Sequence, residues 1–280
     1  MAKSATVIDT HCHLTFPDYA GRVDEVVDAA RGAGVFGMIS ISTTTRDCRE
    51  ALGVAQRYDD VWCSSGVHPL YSAKGPHEWG AVLEVARSPK CVAWGELGLD
   101  NHYDEPVGAL QREVLTEQLA HIESWRREDE RLAGLPVIVH CREAFEDLIP
   151  ILRASGVSPE RFVFHCFTGG PAEMRLVLDF GAMVSFTGVV TFPGAPEVRE
   201  AAALVPLDRV MVETDAPFLT PAPHRKVRPN EPRFARVTAE FLAAEVYRVA
   251  WPEFEAAIDA NTARFFGIRA GDPAGRSAVS

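Results

Sequence analysis

Eight short apolar runs alternate with longer amphipathic segments along this chain of 280 residues. The runs have the length and composition of buried strands, and the segments between them have helical character. Nearly continuous apolar strands joined by helices are typical of a parallel sheet buried on both faces, and eight such units close into a barrel. The pattern therefore predicts an α/β fold, the (β/α)8 TIM barrel. The predicted strands are Thr6–Thr10, Phe36–Ser42, Val61–Val67, Cys91–Glu96, Pro136–His140, Arg161–His165, Ala182–Phe186 and Arg209–Thr214, and the predicted helices lie near 20–33, 45–58, 77–88, 107–133, 143–154, 171–180, 196–204 and 231–249.

The alternative arrangement of these elements is an open, doubly wound sheet. Such a sheet typically carries a Gly-rich phosphate-binding turn after its first strand, and the sequence HCHLTF at 11–16 contains no glycine. The barrel is therefore favoured. No linker, charge block or finer repeat divides the chain, so we predict one domain over 1–267 and a flexible tail of small and polar residues over 268–280.

The charge and composition of the chain limit its functions. A net charge of −11 argues against broad, non-specific attachment to nucleic acid, but it leaves room for an enzyme that acts on nucleic acid at one local site. No apolar stretch approaches the roughly 20 residues that span a bilayer, and the N-terminus lacks the pattern of a secretory signal. The six cysteines are scattered singly, which is typical of reduced core residues. We therefore expect a cytoplasmic protein with no membrane association and no obligate protein partner.

Six potential metal ligands fall at the predicted C-terminal ends of five strands, on the face where barrel enzymes place their active sites. Any one of them could be a structural residue, but their joint placement indicates a metal site. Side chains alternate along a strand, so the two imidazoles of the His-x-His pair face the same way and Cys12 faces away. The six are His11 and His13 of the first strand, Glu96 of the fourth, His140 of the fifth, His165 of the sixth and Asp215 of the eighth.

Four imidazoles and two carboxylates exceed the needs of one catalytic zinc ion, which takes about three protein ligands. They suit two divalent ions bridged by a carboxylate, with magnesium, manganese and zinc all compatible and the choice among them left open. A carbamylated lysine could also bridge two ions, but none of the four lysines ends a predicted strand. Glu96 is therefore the predicted bridge.

Nine sequence blocks, which include all six of these ligands, are spread over nearly the whole chain: DTHCHL (9–14), GVHP (66–69), GELGLD (95–100), LPVIVHCREA (135–144), FHCFTGG (164–170), VSFTGVVTF (184–192), ETDAPFLTP (213–221), NEP (230–232) and NTARFFG (261–267). Together they resemble the TatD family of metal-dependent deoxyribonucleases, within the amidohydrolase-like barrels. The resemblance implies that His11, His13 and Asp215 hold one metal, that His140 and His165 hold the other, and that Glu96 bridges them. It also implies hydrolysis of DNA phosphodiester bonds, often from 3′ to 5′ at single-stranded ends, with magnesium or manganese.

The roles expected of individual residues follow from this chemistry. Asp215 is the candidate to accept the proton of the attacking water, and Glu213 is expected to support a ligand histidine. The loop 221–232 departs from the family pattern, because it lacks a glycine and is about a residue longer, which puts substrate preference in question. The candidate substrate-binding residues are His68, Arg142, Arg225 and Arg228.

Two other classes of function remain open on the sequence. A small-molecule amidase, lactonase or phosphoesterase could use the same barrel with a different pocket, and it would not need Arg225 and Arg228. A binding or scaffold protein could retain the fold without activity, but it would have no physical need for all six ligands. A metal-dependent hydrolase acting on DNA is therefore the leading hypothesis.

Overall fold

The computed structural model describes residues 7–269, in which eight parallel strands follow one another around a nearly closed barrel. Each strand pairs in parallel with the next, and the ends of the series meet where Asp215 N donates to His11 O (2.9 Å) and His13 N donates to Ala216 O (2.8 Å). The predicted (β/α)8 barrel is confirmed. The strands are β1 (Val7–Cys12), β2 (Val35–Ser40), β3 (Val61–Ser65), β4 (Cys91–Asp100), β5 (Val137–Arg142), β6 (Phe162–Phe164), β7 (Met183–Phe186) and β8 (Val210–Val212).

Helices surround the strands and bury their apolar faces against the outside of the barrel. None of the helices between residues 7 and 269 is both long enough and apolar enough to cross a membrane. The predicted strand residue Thr6 and residues 270–280 of the predicted tail lie outside the described part of the chain. The helices are α1 (Val23–Gly32), α2 (Asp47–Arg57), α3 (Trp79–Ala86), α4 (Gly108–Glu128), α5 (Glu130–Gly134), α6 (Phe145–Ala154), α7 (Pro171–Phe180), α8 (Pro196–Ala202), α9 (Ala235–Phe241) and α10 (Trp251–Phe266).

Two predicted helices are interrupted. The stretch 107–133 breaks at Asp129, whose extended backbone ends α4 and whose carboxylate caps α5 by accepting from Arg131 N (2.7 Å). The stretch 231–249 consists of a 3-10 turn, α9 and a π-helical turn over Leu242–Tyr247. Apolar periodicity continues through both breaks, so it predicts the buried face without locating the change in backbone geometry.

Strand β4 runs four residues beyond its predicted end at Glu96, because its pairing with β5 resumes after a bulge and continues to Asp100. Trp94 pairs with Val137 and Leu97 with Val139, so β4 has one extra residue in this interval. Gly95 has a φ of 109°, and a Cβ there would lie 2.5 Å from Ile138 O, so only glycine fits. A bulge of this kind re-aims a side chain while the strand continues.

Helix α10 was not predicted from the sequence, and it closes the N-terminal end of the barrel. Pro252 lies in its first turn, and Gly267 ends it in the left-handed conformation (φ 73°); proline and glycine are common at these two ends of a helix. Phe265, Phe266 and Ile268 pack against apolar side chains that point into the barrel, so the first residue of the predicted tail is buried. The inward-pointing side chains are Ile8, Ile39, Ile41, Trp62, Val92, Ala93, Ile138, Val163, Met183 and Met211.

Because Phe265 fills the barrel floor and is 4% exposed, we expect Phe265→Ala to lower the free energy of unfolding by about 3–5 kcal/mol. Denaturant unfolding of the metal-free protein measures this difference. Leu204→Ala is the control, since Leu204 is 39% exposed and its truncation should change stability by less than about 0.5 kcal/mol. Equal losses in the two variants would show that α10 does not close the core.

Candidate active site

The C-terminal ends of the strands surround a cavity of about 510 Å³. Five of the six predicted ligands line it, and the sixth, His11, lies fully buried beside them. The structure therefore brings all six side chains together at the mouth of the barrel. The five lining ligands are His13, Glu96, His140, His165 and Asp215.

One group of ligands joins β1 to the loop after β8. His11 Nε2 lies 3.3 Å from His13 Nε2, and Asp215 Oδ1 lies 3.6 Å from His11 Nε2 and 3.3 Å from His13 Nε2. Asp215 has a φ of 52°, a conformation that is sparsely populated by residues other than glycine. Its backbone bond to His11 O and a turn with Phe218 hold this conformation and place the carboxylate beside the two imidazoles.

Glu96 lies between this group and a second one. Its Oε2 is 3.3 Å from His11 Nε2, while its Oε1 is 2.6 Å from His165 Nε2 and 2.9 Å from His140 Nδ1. The β4 bulge sets this direction, since Glu96 directly follows Gly95. One carboxylate thus faces both groups, as expected of a bridge.

Two of the imidazoles have a hydrogen-bond acceptor on the ring nitrogen that does not face the centre. His140 Nε2 lies 2.9 Å from Asp100 Oδ2, and His13 Nδ1 lies 3.3 Å from Ile41 O. An acceptor on one nitrogen fixes the tautomer that leaves a lone pair on the other. His13 and His140 therefore turn their lone pairs toward the other ligands, whereas His165 Nδ1 lies 3.4 Å from Glu213 Oε1 without forming a hydrogen bond.

This arrangement fits divalent cations. Nitrogen lone pairs 3.3 Å apart, in the pairs His11–His13 and His140–His165, repel one another unless a proton or a cation lies between them. Three buried atoms of these ligands, His11 Nδ1, His165 Nδ1 and Glu96 Oε2, have no hydrogen-bond partner among the described residues. Ligand atoms close enough to share one ion occur in three groups of the described residues, namely His11–His13–Asp215, His11–His165–Glu213 and His68–Glu96–His140.

Burial and neighbouring charges act in opposite directions on the pKa values of these ligands. Burial lowers the pKa of His11. Burial alone would also lower the pKa of His13, His140 and His165, but the neighbouring carboxylates outweigh it and raise the pKa of all three. Burial would raise the pKa of Glu96, yet the surrounding imidazoles hold it well below its usual range.

Metal binding should therefore release protons. In the metal-free protein His13, His140 and His165 keep protons to higher pH than a free histidine, because their pKa values are raised. A metal ion binds only the neutral imidazole, so we expect apparent affinity to increase with pH until the pH exceeds these pKa values. Calorimetric titration with Mn²⁺ in two buffers of different ionisation enthalpy counts the protons released. Identical heats at neutral pH would contradict this prediction.

Two supporting carboxylates were missed in the sequence. Asp100 accepts from His140, and it lies on the same face of β4 as Glu96, four residues away, so strand alternation could have revealed it. Asp9 accepts from His11 N (3.2 Å) and Thr214 N (2.9 Å), and burial raises its pKa to about 8. It links the segments that carry His11 and Asp215. The bond between Asp9 and Thr214 spans 205 positions of the sequence, so no local sequence pattern predicts it.

Glu213 contacts His165, as expected, and is held by Ser185 Oγ (2.6 Å) and Cys166 N (2.5 Å). Cys12 points away from the site toward Ile39 O (3.5 Å). Burial raises the pKa of the Cys12 and Cys141 thiols, which disfavours the thiolate that a metal would need.

The four candidate substrate-binding residues lie in different places. His68 lines the cavity and its Nε2 is 3.1 Å from His140 Nδ1. Arg142 also lines the cavity, with its guanidinium over the Tyr103 ring. Arg225 lies in an adjoining groove, stacked on Phe192, whereas Arg228 is exposed and does not line the cavity.

Comparison with known proteins agrees with this geometry. The family model described as TatD related DNase matches residues 8–267. A protein of Escherichia coli (strain K12) named uncharacterized metal-dependent hydrolase YcfH is 36% identical over 267 residues, covering 94% of this chain and 97% of its own length. The 3'-5' ssDNA/RNA exonuclease TatD of Klebsiella pneumoniae (strain 342) is 32% identical over 268 residues, covering 94% and 98%.

A solved structure with the same fold is that of YJJV, a TatD homolog from Escherichia coli K12. It superimposes with a TM-score of 0.83 at 29% identity, covering 94% of this chain and 98% of the other. The family model spans almost all of the described residues, and the relatives match over nearly their full lengths. The chain therefore belongs to the TatD related DNase family and is a metal-dependent hydrolase.

Proposed function

We propose that the chain is a deoxyribonuclease that uses two divalent ions to remove nucleotides from the 3′ end of single-stranded DNA. The observation that carries the proposal is the position of Glu96 between two groups of ligands on the floor of an open cavity. In this proposal His11, His13 and Asp215 hold one ion, and His140 and His165 hold the other. Magnesium and manganese suit phosphoryl transfer, and the nitrogen ligands also accept zinc.

Two ions in such a site would polarise the phosphate oxygens of the substrate and lower the pKa of the attacking water. The chain's own part begins with Asp215. Its side chain is 16% exposed, more than that of Glu96 (1%) or His11 (0%), so it reaches into the cavity while it contacts the two β1 imidazoles. We assign it the role of accepting the proton of the attacking water.

His68 is suited to donate a hydrogen bond to the scissile phosphate. Its Nδ1 accepts from Leu70 N (3.0 Å), and burial lowers its pKa to about 3, so the ring is neutral and its proton lies on Nε2. Nε2 points toward Glu96 Oε1 (3.4 Å) at the centre of the cavity. His68 lies close enough to Glu96 and His140 to share an ion with them, but a histidine fixed in this tautomer is a donor, so we propose that it contacts substrate instead. Arg142 at the rim is the second proposed phosphate contact.

Aromatic side chains on the wall of the cavity support a single-stranded substrate. Phe16 stacks on His13 at 4.5 Å between ring centroids and contacts Phe218 edge to face. Phe218 and Tyr103 also line the cavity and are 49% and 48% exposed. Exposed rings provide stacking surfaces for unpaired bases. A cavity of this size accommodates a single nucleotide more readily than a stacked base pair.

Cleavage of a 5′-labelled single-stranded oligonucleotide tests the proposal. Purified protein is first stripped of metal and then supplied with Mg²⁺, Mn²⁺ or Zn²⁺, with chelator as a control. We expect a ladder that shortens from the 3′ end only when metal is present, and slower cleavage of a blunt duplex of the same sequence. No cleavage by protein that holds two metal ions would overturn the nuclease proposal and favour small esters or amides as substrates.

A further inference from the structure

Two grooves lead away from the central cavity. The first, which we call the Arg225 groove, has a volume of about 630 Å³ and shares Thr168 and Val189 with the cavity. The second, the acidic groove, has a volume of about 770 Å³ and shares Arg142 and Thr168 with it. A DNA strand whose 3′ end lies in the cavity can follow either groove to the surface.

Charge distinguishes the two grooves. The acidic groove repels a phosphodiester backbone because carboxylates surround it. The Arg225 groove is lined by one carboxylate, Glu197, and by the guanidinium group of Arg225. Of these two grooves, the Arg225 groove is therefore the more favourable path for a polyanion that leaves the cavity. The carboxylates of the acidic groove are Glu143, Glu146, Asp147, Glu173 and Glu197.

Arg225 and Phe192 form a platform within this groove. The Arg225 guanidinium carbon lies 3.6 Å from the centroid of the Phe192 ring, so the two groups are stacked. Stacking uses one face of the guanidinium and leaves its N–H groups available, and between residues 7 and 269 no hydrogen bond or ion pair involves them. A stacked arginine presents both a planar surface for a base and N–H donors for a phosphate.

The platform is held in place before any substrate binds. Arg199 donates to the carbonyls of Phe192 (2.6 Å) and Val190 (3.2 Å), which fixes the loop after β7. Thr191 Oγ1 accepts from Ala222 N (2.8 Å), which ties that loop to the loop after β8 that carries Arg225. Binding here costs little ordering of the protein, since the two loops are already joined.

We propose that the Arg225 groove is the subsite for the nucleotides upstream of the scissile bond. Arg225 binds the phosphate one step upstream of the scissile phosphate, and the base on the 5′ side of that upstream phosphate stacks on the Arg225–Phe192 platform. The inference rests on the proposed nuclease function. It assigns the altered 221–232 loop to recognition of strand length, beyond the terminal nucleotide.

The length of the shortest substrates tests this subsite. The dinucleotide dT2 has only the scissile phosphodiester, whereas dT3 also has the upstream one. For the wild type with saturating Mn²⁺, we expect kcat/KM for dT3 to exceed that for dT2 by about 10-fold, the effect of one charged hydrogen bond. Arg225→Gln should bring this ratio close to one, and Phe192→Ala should lower it. Lys226→Gln removes a neighbouring charge of the same loop and should keep the wild-type ratio.

The possible results separate the two proposals. If the wild type cleaves both substrates and its ratio is unaffected by Arg225→Gln, the subsite is wrong while the nuclease function stands. If Lys226→Gln lowers the ratio as much as Arg225→Gln does, the preference for dT3 comes from the total positive charge of the loop, and the proposed contact of Arg225 with the upstream phosphate is wrong. If the metal-loaded wild type cleaves neither these substrates nor longer DNA, the nuclease function fails and the subsite fails with it.

Discussion

Asp215→Asn should lower kcat for DNA cleavage by about 100- to 10,000-fold, the usual contribution of a positioned general base. The substitution keeps the size of the side chain and one oxygen that can face a metal ion, but the amide cannot accept the proton of the attacking water. The backbone N–H of Asp215 donates to His11 O, and its carboxylate contacts His11 and His13, so the fold should be unchanged when only the side chain changes. Rates at saturating metal and substrate, together with unfolding curves, measure the two effects separately.

Asp208→Asn is the matched control for this variant. Asp208 is exposed in the 3-10 turn before β8, at the opposite end of the strand from Asp215. The Asp208→Asn variant should cleave DNA at the wild-type rate. If Asp215→Asn kept a kcat within about twofold of the wild type at saturating metal, Asp215 would not be the proton acceptor.

Glu96→Gln should weaken metal binding by at least about 100-fold at both positions, a larger effect than is usual for residues that only support ligands. Glu96 Oε1 and Oε2 face different groups of imidazoles, so loss of the one negative charge affects both groups. Calorimetric titration with Mn²⁺ measures the two affinities, and cleavage should stop at metal concentrations that saturate the wild type.

Asp100→Asn provides a graded comparison with Glu96→Gln. Asp100 contacts only one of the imidazoles of the site, through His140 Nε2 (2.9 Å). Its substitution should therefore lower the binding affinity for one ion by about 10- to 100-fold and leave the affinity for the other ion unchanged. The assignment of Glu96 as the bridge would be contradicted if Asp100→Asn lowered the affinity for both ions equally, or if Glu96→Gln lowered the affinity for only one ion.

The barrel and the six clustered side chains were predictable because both depend on short-range regularities. A strand shows itself as a run of apolar residues, and residues at the C-terminal ends of parallel strands meet at one face of the barrel. His11 and His13 follow this rule, as do His140 and His165, so their convergence follows from topology alone. The division of the ligands between two ions is implied by the resemblance to the family and stays a prediction.

Other features depend on contacts that sequence periodicity does not encode. The bulge at Gly95 shifts the register of β4 against β5, which is why Glu96 lies within the strand and not at its end. Asp9 acts through Thr214, a partner on a distant segment. Helix α10 is the exception, because Pro252 and Gly267 mark its ends and could have located it.

Anomalous diffraction from crystals soaked in Mn²⁺ tests most directly whether a pair of metal ions shares Glu96. We expect two anomalous peaks per chain, one bound by His11, His13 and Asp215 and the other by His140 and His165, with Glu96 contacting both. In crystals of Glu96→Gln the two peaks should weaken together. A single peak at full occupancy in the wild type, or two peaks that do not share Glu96, would contradict the account.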